Sequence, residues 1–237
     1  MGVRIDQSGR VILVTGACGA LGSAVCSAFT EAGATTVGTD IVDIEDDDSM
    51  LDPSAVDTSI QADFTDETAV KTVIEDVISE YGRLDALCNI AGTWMGGSPL
   101  SETDVETFDA LIDINLKTMF LGSKAALPHL QQSAGAIVSV SARSSLSGGT
   151  GDGPYRAAKA GVRLLTETIA EENRGEVRAN AIMPSVIDTP MNREMMPNAD
   201  HDAWVDPAEI AAVVVWLCSD GASVTSGAAI PVYGEAI

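Results

Sequence analysis

Apolar and polar positions fall along this chain in blocks of two kinds. Short apolar runs of strand length recur: VILVT (11–15), TTVGTD (35–40), SIQAD (59–63), LDALCNIAG (84–92), GAIVSVS (135–141), VRANAIMP (177–184) and AAIPVY (228–233). Between them, apolar residues recur three and four apart, the spacing of one helix face. The first such stretch carries Leu21, Val25, Phe29 and Ala32, and the next, over about 66–81, carries Val70, Val73, Ile74, Val77 and Ile78. A long helix is predicted over about 104–132, another over 155–172 and a last near 207–219. Strands alternating with helices predict a parallel sheet with helices on both faces. The expected fold class is α/β, one doubly wound domain over residues 1–237 with about seven strands. In such sheets ligands bind beyond the carboxyl ends of the strands. No repeat, low-complexity stretch or linker breaks the pattern.

Composition narrows the class of function. At 237 residues and 46% hydrophobic, the chain can bury one deep core. No apolar run reaches the roughly 18 residues that a membrane span needs. The opening MGVRIDQSGR has no apolar leader core, so a cytoplasmic location is expected. Asp6 stands where a myristoylation motif beginning at Gly2 wants Ser or Thr. With 35 acidic and 13 basic residues the net charge is −22. Nucleic acid and anionic membranes are poor partners for that surface, and a small-molecule partner is expected instead. Lysines are few, namely Lys71, Lys117, Lys124 and Lys159. An acidic, lysine-poor surface suits a salt-rich cytoplasm, where self-repulsion is screened, so a halophilic source is the expectation. An ordinary acidic protein is the alternative. Cys18, Cys26, Cys88 and Cys218 form no CxxC pair and read as free thiols. His129 and His201 are the only histidines, and no metal site is predicted.

Three groups of residues carry candidate chemistry. TGACGALG (15–22) joins the first strand to the first helix; Gly16 permits a tight turn and Gly22 lets the helix approach the sheet. The helix start then offers free N–H groups to a pyrophosphate. Asp40 ends the second strand, and its carboxylate suits ribose hydroxyls and repels a 2′-phosphate. No Arg or Lys in 17–44 offsets that repulsion, so the cofactor read here is NAD(H). Tyr155 and Lys159 stand four apart on one helix, so both point the same way. An ammonium beside a phenol is expected to lower the tyrosine pKa and make Tyr155 a proton donor or acceptor near neutral pH.

In order, TGACGALG, Asp40, Asp63, NIAG (89–92), Asn115, YRAAK (155–159) and PSVIDT (184–189) resemble the short-chain dehydrogenase/reductase family over nearly the whole chain. The resemblance implies a Rossmann-type, NAD(H)-dependent oxidoreductase that assembles as a homodimer or homotetramer. It implies catalytic roles for Tyr155, Lys159 and Asn115, the last holding a water that links Lys159 to bulk solvent. It implies cofactor contacts from Gly16, Cys18, Ala20, Leu21, Gly22, Asp40, Ile41, Asp63, Phe64, Asn89, Ala91, Gly92, Pro184, Ile187 and Thr189, together with Tyr155 and Lys159. Asp63 would touch the adenine, and Ile187 and Thr189 the nicotinamide carboxamide and phosphates.

The departures are informative. Ala20 replaces a glycine of the first motif, Ile90 an asparagine, and Ser185 a glycine after Pro184. The family's catalytic serine is expected 13 residues before the tyrosine, where this chain has Ala142. Ser141 is one residue off and should face the other way along a strand, whereas Ser144 lies beyond the usual position. Alanine at this place, CNIAGTWMGG (88–97) and DTPMNREMMPNADHDAW (188–204) resemble the dihydropteridine-reductase-like branch of the family. That branch implies a conjugated or quinonoid substrate, with Trp94, Ala142, Ser144 and Met191 as candidate substrate residues. Trp94 either stacks on a flat heterocycle or simply packs. Two readings compete with it: an alcohol or ketone dehydrogenase that recruits Ser144 or Ser141, and a cofactor-binding pseudoenzyme or subunit.

Overall fold

A computed structural model describes residues 5–235. The leader and myristoylation expectations at Met1 and Gly2 lie outside them. Seven strands form one parallel sheet: β1 (Val11–Thr15), β2 (Thr35–Asp40), β3 (Thr58–Gln61), β4 (Ala86–Asn89), β5 (Ala136–Val140), β6 (Arg178–Pro184) and β7 (Ala229–Val232). Their order is β3-β2-β1-β4-β5-β6-β7. The central strands β1, β4 and β5 are buried along their whole length, which explains why they read as continuous apolar runs. Strand β1 pairs with β2 on one side and β4 on the other, so the strand order reverses there and a crevice opens above the carboxyl ends.

Helices α1 (Ala20–Glu31), α2 (Glu67–Tyr81), α3 (Val105–Ile112), α4 (Thr118–Ser133), α5 (Gly153–Glu172), α6 (Pro190–Met195) and α7 (Pro207–Cys218) complete the fold. One core joins α1 and α7 to the sheet through Val25, Cys26, Phe29, Ile210, Val214 and Leu217. The other joins α2, α4 and α5 to the opposite face through Val73, Leu130 and Val162. All four cysteines are free and buried, and burial pushes the Cys26 thiol up to about 12, which suits packing rather than reactivity. At the amino ends of the strands, Arg10 and Arg178 donate to Cys218 O at 2.6 Å and to Leu217 O at 2.7 Å, and so close the carboxyl end of α7.

Two sequence expectations need correction. The helix expected over about 104–132 is α3 and α4 separated by a π turn, Asp113–Lys117. The interruption arises at Asn115, whose Nδ2 donates to Leu111 O at 3.1 Å and so competes for the helical ladder. The strands expected over 59–63, 84–92 and 228–233 are four residues each, Thr58–Gln61, Ala86–Asn89 and Ala229–Val232, because the residues at their carboxyl ends, and at the start of the second and third, lie outside the ladder. Helix α6 was not expected; Thr189 caps it through Oγ1, which accepts from Asn192 N at 3.2 Å.

The tightest constraint is in the turn after β1. Gly16 has φ +67°, and a Cβ on Gly22 would lie 1.9 Å from Gly16 O. Gly22→Ala is therefore expected to cost at least about 3 kcal/mol, at the upper end of overpacking penalties, because the obstacle is backbone. Urea unfolding of the purified variant checks this; an unchanged midpoint would contradict the geometry.

Candidate active site

The turn 15–22 brings its glycines to the start of α1, whose N-cap Gly19 makes no side-chain cap and whose first turn has no acidic residue. Its N–H groups are thus available to an anion from the crevice. Asp40 stands beside this turn: Oδ2 accepts from Cys18 N at 2.9 Å and Oδ1 from Val42 N at 3.2 Å. Ala20 begins α1, whereas the Leu21 side chain is buried in the core. Ile41 is exposed. Asp63 is exposed and closes its own turn, accepting from Thr65 N and Thr65 Oγ1, each at 2.8 Å. Phe64 is buried in the α2–α4 core, so only its backbone remains for a cofactor. Pro184 is buried at the end of β6, Ile187 bridges to Val205, and the Thr189 hydroxyl is the α6 cap. The uncapped glycine turn and the carboxylate beside it fit a dinucleotide. Among the described residues, no group of three or more His, Cys, Asp or Glu side chains gathers to hold a metal.

The second half of the site assembles around Lys159. Its side chain is buried, and Nζ donates to Val140 O at 2.9 Å. A Cβ on Gly92 would lie 2.9 Å from Lys159 Nζ and 2.8 Å from Asn115 Oδ1, so a side chain there would push both groups from their positions. Asn115 is buried in the π turn and clamps the loop after β4: Nδ2 donates to Thr93 O at 3.0 Å and Oδ1 accepts from Thr93 N at 3.1 Å. Tyr155 stands one helical turn before Lys159, whose Nζ is 5.9 Å from the ring centroid. Burial lowers the Lys159 pKa to about 8.

The expected effect of Lys159 on Tyr155 is reversed here. Burial, with Asp152 adding, pushes the Tyr155 hydroxyl up to about 12. The ammonium is directed at the Val140 carbonyl rather than the phenol, so desolvation wins over charge attraction. Tyr155 therefore holds its proton at neutral pH.

The hydroxyls near Ala142 are not equivalent. Ala142 is buried at the end of β5. Ser141 is buried too, and its Oγ donates to Lys159 O at 2.7 Å. With its one proton spent there, it accepts from Ser145 Oγ at 3.1 Å. Neither serine has a proton left for a substrate. Ser144 is partly exposed; its carbonyl accepts from Arg156 Nη1 at 3.1 Å, while no hydrogen bond of its hydroxyl occurs among the described residues. The loops after β4 and β5 join through Gly97 N donating to Gly151 O at 2.8 Å. Trp94, 38% exposed, packs on Gly96 beside that junction, and Met191 is exposed on α6.

Sequence reasoning missed two residues of this site. Thr15 Oγ1 accepts from Ile90 N at 3.1 Å and Ala91 N at 3.2 Å, tying the loop after β4 to the glycine turn. A hydroxyl directly before Gly16 was the available signal. Val140 acts through its carbonyl, which no side-chain pattern reveals. Asn89 is buried, with Nδ2 donating to Ser123 Oγ and Ser139 Oγ, each at 3.2 Å, so its side chain braces the sheet rather than lining the crevice.

The sequence profile of the short chain dehydrogenase family matches residues 10–200. The chain is 35% identical over 241 residues to the 3-oxoacyl-[acyl-carrier-protein] reductase of Thermotoga maritima, covering 95% of this chain and 97% of that protein. It is 33% identical over 245 residues to the meso-2,3-butanediol dehydrogenase of Serratia marcescens, covering 99% and 96%. Among solved structures, the aldohexose dehydrogenase of Thermoplasma acidophilum superposes with a TM-score of 0.86 at 26% identity, covering 96% of this chain and 94% of that one.

The Tyr155 environment can be checked directly. The ultraviolet difference between the cofactor-free protein and Tyr155→Phe should show no phenolate absorbance up to about pH 10, the ordinary tyrosine value. A phenolate titrating near neutral pH would restore the coupling to Lys159 and contradict the geometry.

Proposed function

This chain belongs to the short-chain dehydrogenase family, and from that premise we propose that it interconverts a secondary alcohol and a ketone on a small molecule, with NAD(H) as cofactor. The observation that carries the reading is Tyr155 one helical turn from the buried Lys159 at the carboxyl end of the sheet. The cofactor supplies or takes the hydride when bound. Tyr155 holds its proton and gives it to the carbonyl oxygen. Lys159 carries its own proton below about pH 8 and loses it above. Proton supply for reduction should therefore fall as pH rises through about 8. Ser144 is the hydroxyl left to orient the carbonyl oxygen. The named relatives are reductases and dehydrogenases of oxoacyl, diol and sugar substrates, which supports an alcohol–ketone reaction. Asp40 supports NAD(H), since a 2′-phosphate would meet its carboxylate next to Cys18.

A dihydropteridine-reductase-like reaction on a quinonoid substrate is the second reading. Ala142 and the exposed face of Trp94 favour it. The convergence of Asn115, Tyr155 and Lys159 on one site speaks against a pseudoenzyme. A homodimer or homotetramer is consistent with Phe108, Phe120 and Leu164, which lie exposed on α3, α4 and α5. The acidic surface supports a salt-rich cytoplasm as the working environment, and no helix of the described residues is long and apolar enough to cross a membrane.

The deciding measurement is kcat/KM on neutral ketones and on a quinonoid dihydropterin, with NADH and with NADPH. NADH should be preferred, and Asp40→Ala should narrow the preference. Ser144→Ala should lower ketone reduction by about 10²–10³-fold, as for loss of an oxyanion donor, and Tyr155→Phe by about 10²–10⁴-fold. Fast pterin reduction that ignores Ser144→Ala would favour the second reading. Equal use of NADPH would remove the cofactor assignment. Separately, the unfolding midpoint should rise from dilute buffer to molar KCl if the charge is an adaptation to salt; a flat or falling midpoint would end that reading.

A further inference from the structure

Arg156 follows Tyr155 directly, and its guanidinium enters the turn that begins at Ala142. Nη1 donates to Ser144 O at 3.1 Å and to Ser147 O at 3.2 Å, the two ends of a four-residue stretch. Nε donates to Asp152 Oδ1 at 2.6 Å. Asp152 is the N-cap of α5, a position where a carboxylate ordinarily accepts from the N–H groups of the first turn. It makes no such bond here, and its carboxylate serves Arg156 instead. The two side chains are only 23% and 14% exposed, so this is not one of the solvated pairs that contribute little. Gly149 closes the ring: a Cβ there would lie 2.2 Å from the guanidinium carbon and 2.4 Å from Nε. The segment 144–152 is thus wrapped around one side chain. Two carbonyls and a carboxylate in different directions call for the planar fork of arginine. The grip takes the carbonyl of Ser144 and leaves its hydroxyl, which has no hydrogen bond among the described residues.

We propose that Arg156 is a positioning residue for the reaction, holding the Ser144 turn in register with Tyr155 so that both hydroxyls meet one carbonyl oxygen. The inference rests on the alcohol–ketone reading above, with Ser144 as the hydroxyl that orients the carbonyl. Reduction needs two groups at that oxygen, a proton from Tyr155 and a hydrogen bond from Ser144. Tyr155 is fixed by α5. Ser144 lies in a single 3-10 turn, Arg143–Leu146, beyond the end of β5, where the strand ladder no longer sets the backbone. Arg156 supplies the missing constraint, and it does so from the residue next to Tyr155. A displacement of about 1 Å at such a group can cost about 10²-fold in rate. Asp152 in turn holds the guanidinium at the turn.

The test measures kcat and KM for neutral ketones at saturating NADH in the wild type, Ser144→Ala, Arg156→Met and the double variant. Arg156→Met should lower kcat by about 10- to 100-fold and change KM by less than about threefold, the signature of misplacement rather than lost binding. In the Ser144→Ala background the same substitution should cost less than about threefold, because the hydroxyl it positions is gone. A purely structural role would give equal losses in both backgrounds. Arg156→Lys keeps the charge but loses the fork, and its kcat should lie between. Asp152→Asn leaves the carbonyl bonds in place and should cost less than Arg156→Met. Gly149→Ala, which drives a Cβ into the guanidinium, should reproduce the loss and serves if the Met variant misfolds. Hydrogen exchange over residues 143–149 should quicken in Arg156→Met. An unchanged kcat, equal losses with and without the Ser144 hydroxyl, or an Asp152→Asn loss as large as that of Arg156→Met overturns the proposal and leaves the alcohol–ketone reading intact. Ketone reduction that ignores Ser144→Ala removes Ser144 from that reading and this proposal with it. Failure of every ketone with the wild type removes the alcohol–ketone reading itself, and Arg156 then has no reaction to position.

Discussion

A buried ammonium organises this protein's site. Lys159 is removed from water, its Nζ donates to Val140 O, and burial alone lowers its pKa to about 8. Sequestering a cation in this way is costly, and the surroundings have to keep it in place. Gly92 leaves room for the ammonium and Asn115 Oδ1, which a Cβ there would displace. Ser141 spends its proton on the carbonyl of Lys159, fixing that turn of α5 to the end of β5. Tyr155 then stands one turn away because α5 is continuous through both residues.

The other half of the crevice follows from parallel pairing. Because β1 is flanked by β2 and β4, the residues at their ends meet although far apart in sequence: Thr15 lies level with Thr39 and Asn89. Thr15 uses that position to hold the loop after β4 by two backbone N–H groups. The glycine turn is thereby tied to the segment carrying Ala91 and Gly92, which connects the cofactor half of the site to Lys159. The packing is close: a Cβ on Gly16 would lie 2.7 Å from Ala91 Cα.

Ala142 poses the chemical question of this chain. A missing hydroxyl can reflect a substrate that needs no local oxyanion donor, or a donor supplied from elsewhere. The structure separates the neighbouring serines by what their protons already do. Ser141 and Ser145 are tied to each other and to α5, so the alternative that recruited Ser141 loses its physical basis, while Ser144 keeps its hydroxyl. Arg143, between Ala142 and Ser144, adds a charge to the same short turn.

Periodicity by itself determined the sheet-and-helix alternation, because an apolar run or a stripe at helical spacing is a local property that burial on either face demands. Local spacing likewise determined the glycine turn, Asp40 at a strand end, and Tyr155 and Lys159 on one helix face. Tertiary structure decided what depends on contacts between distant segments. The helix expected over 104–132 breaks at Asn115 because a loop more than 20 residues earlier needs its side chain: Thr93 N donates to Asn115 Oδ1 across a separation of 22. The Tyr155 pKa goes up rather than down because Lys159 is aimed at Val140, a direction that spacing on α5 does not set. Ser141 and Ser144 look alike in sequence and differ only in what folds against them. The pairing of Arg143 with Tyr233 spans 90 residues and exists because β5, β6 and β7 lie side by side. A sequence pattern reports which face a residue buries, whereas the partner across that face is fixed only when the strands are ordered.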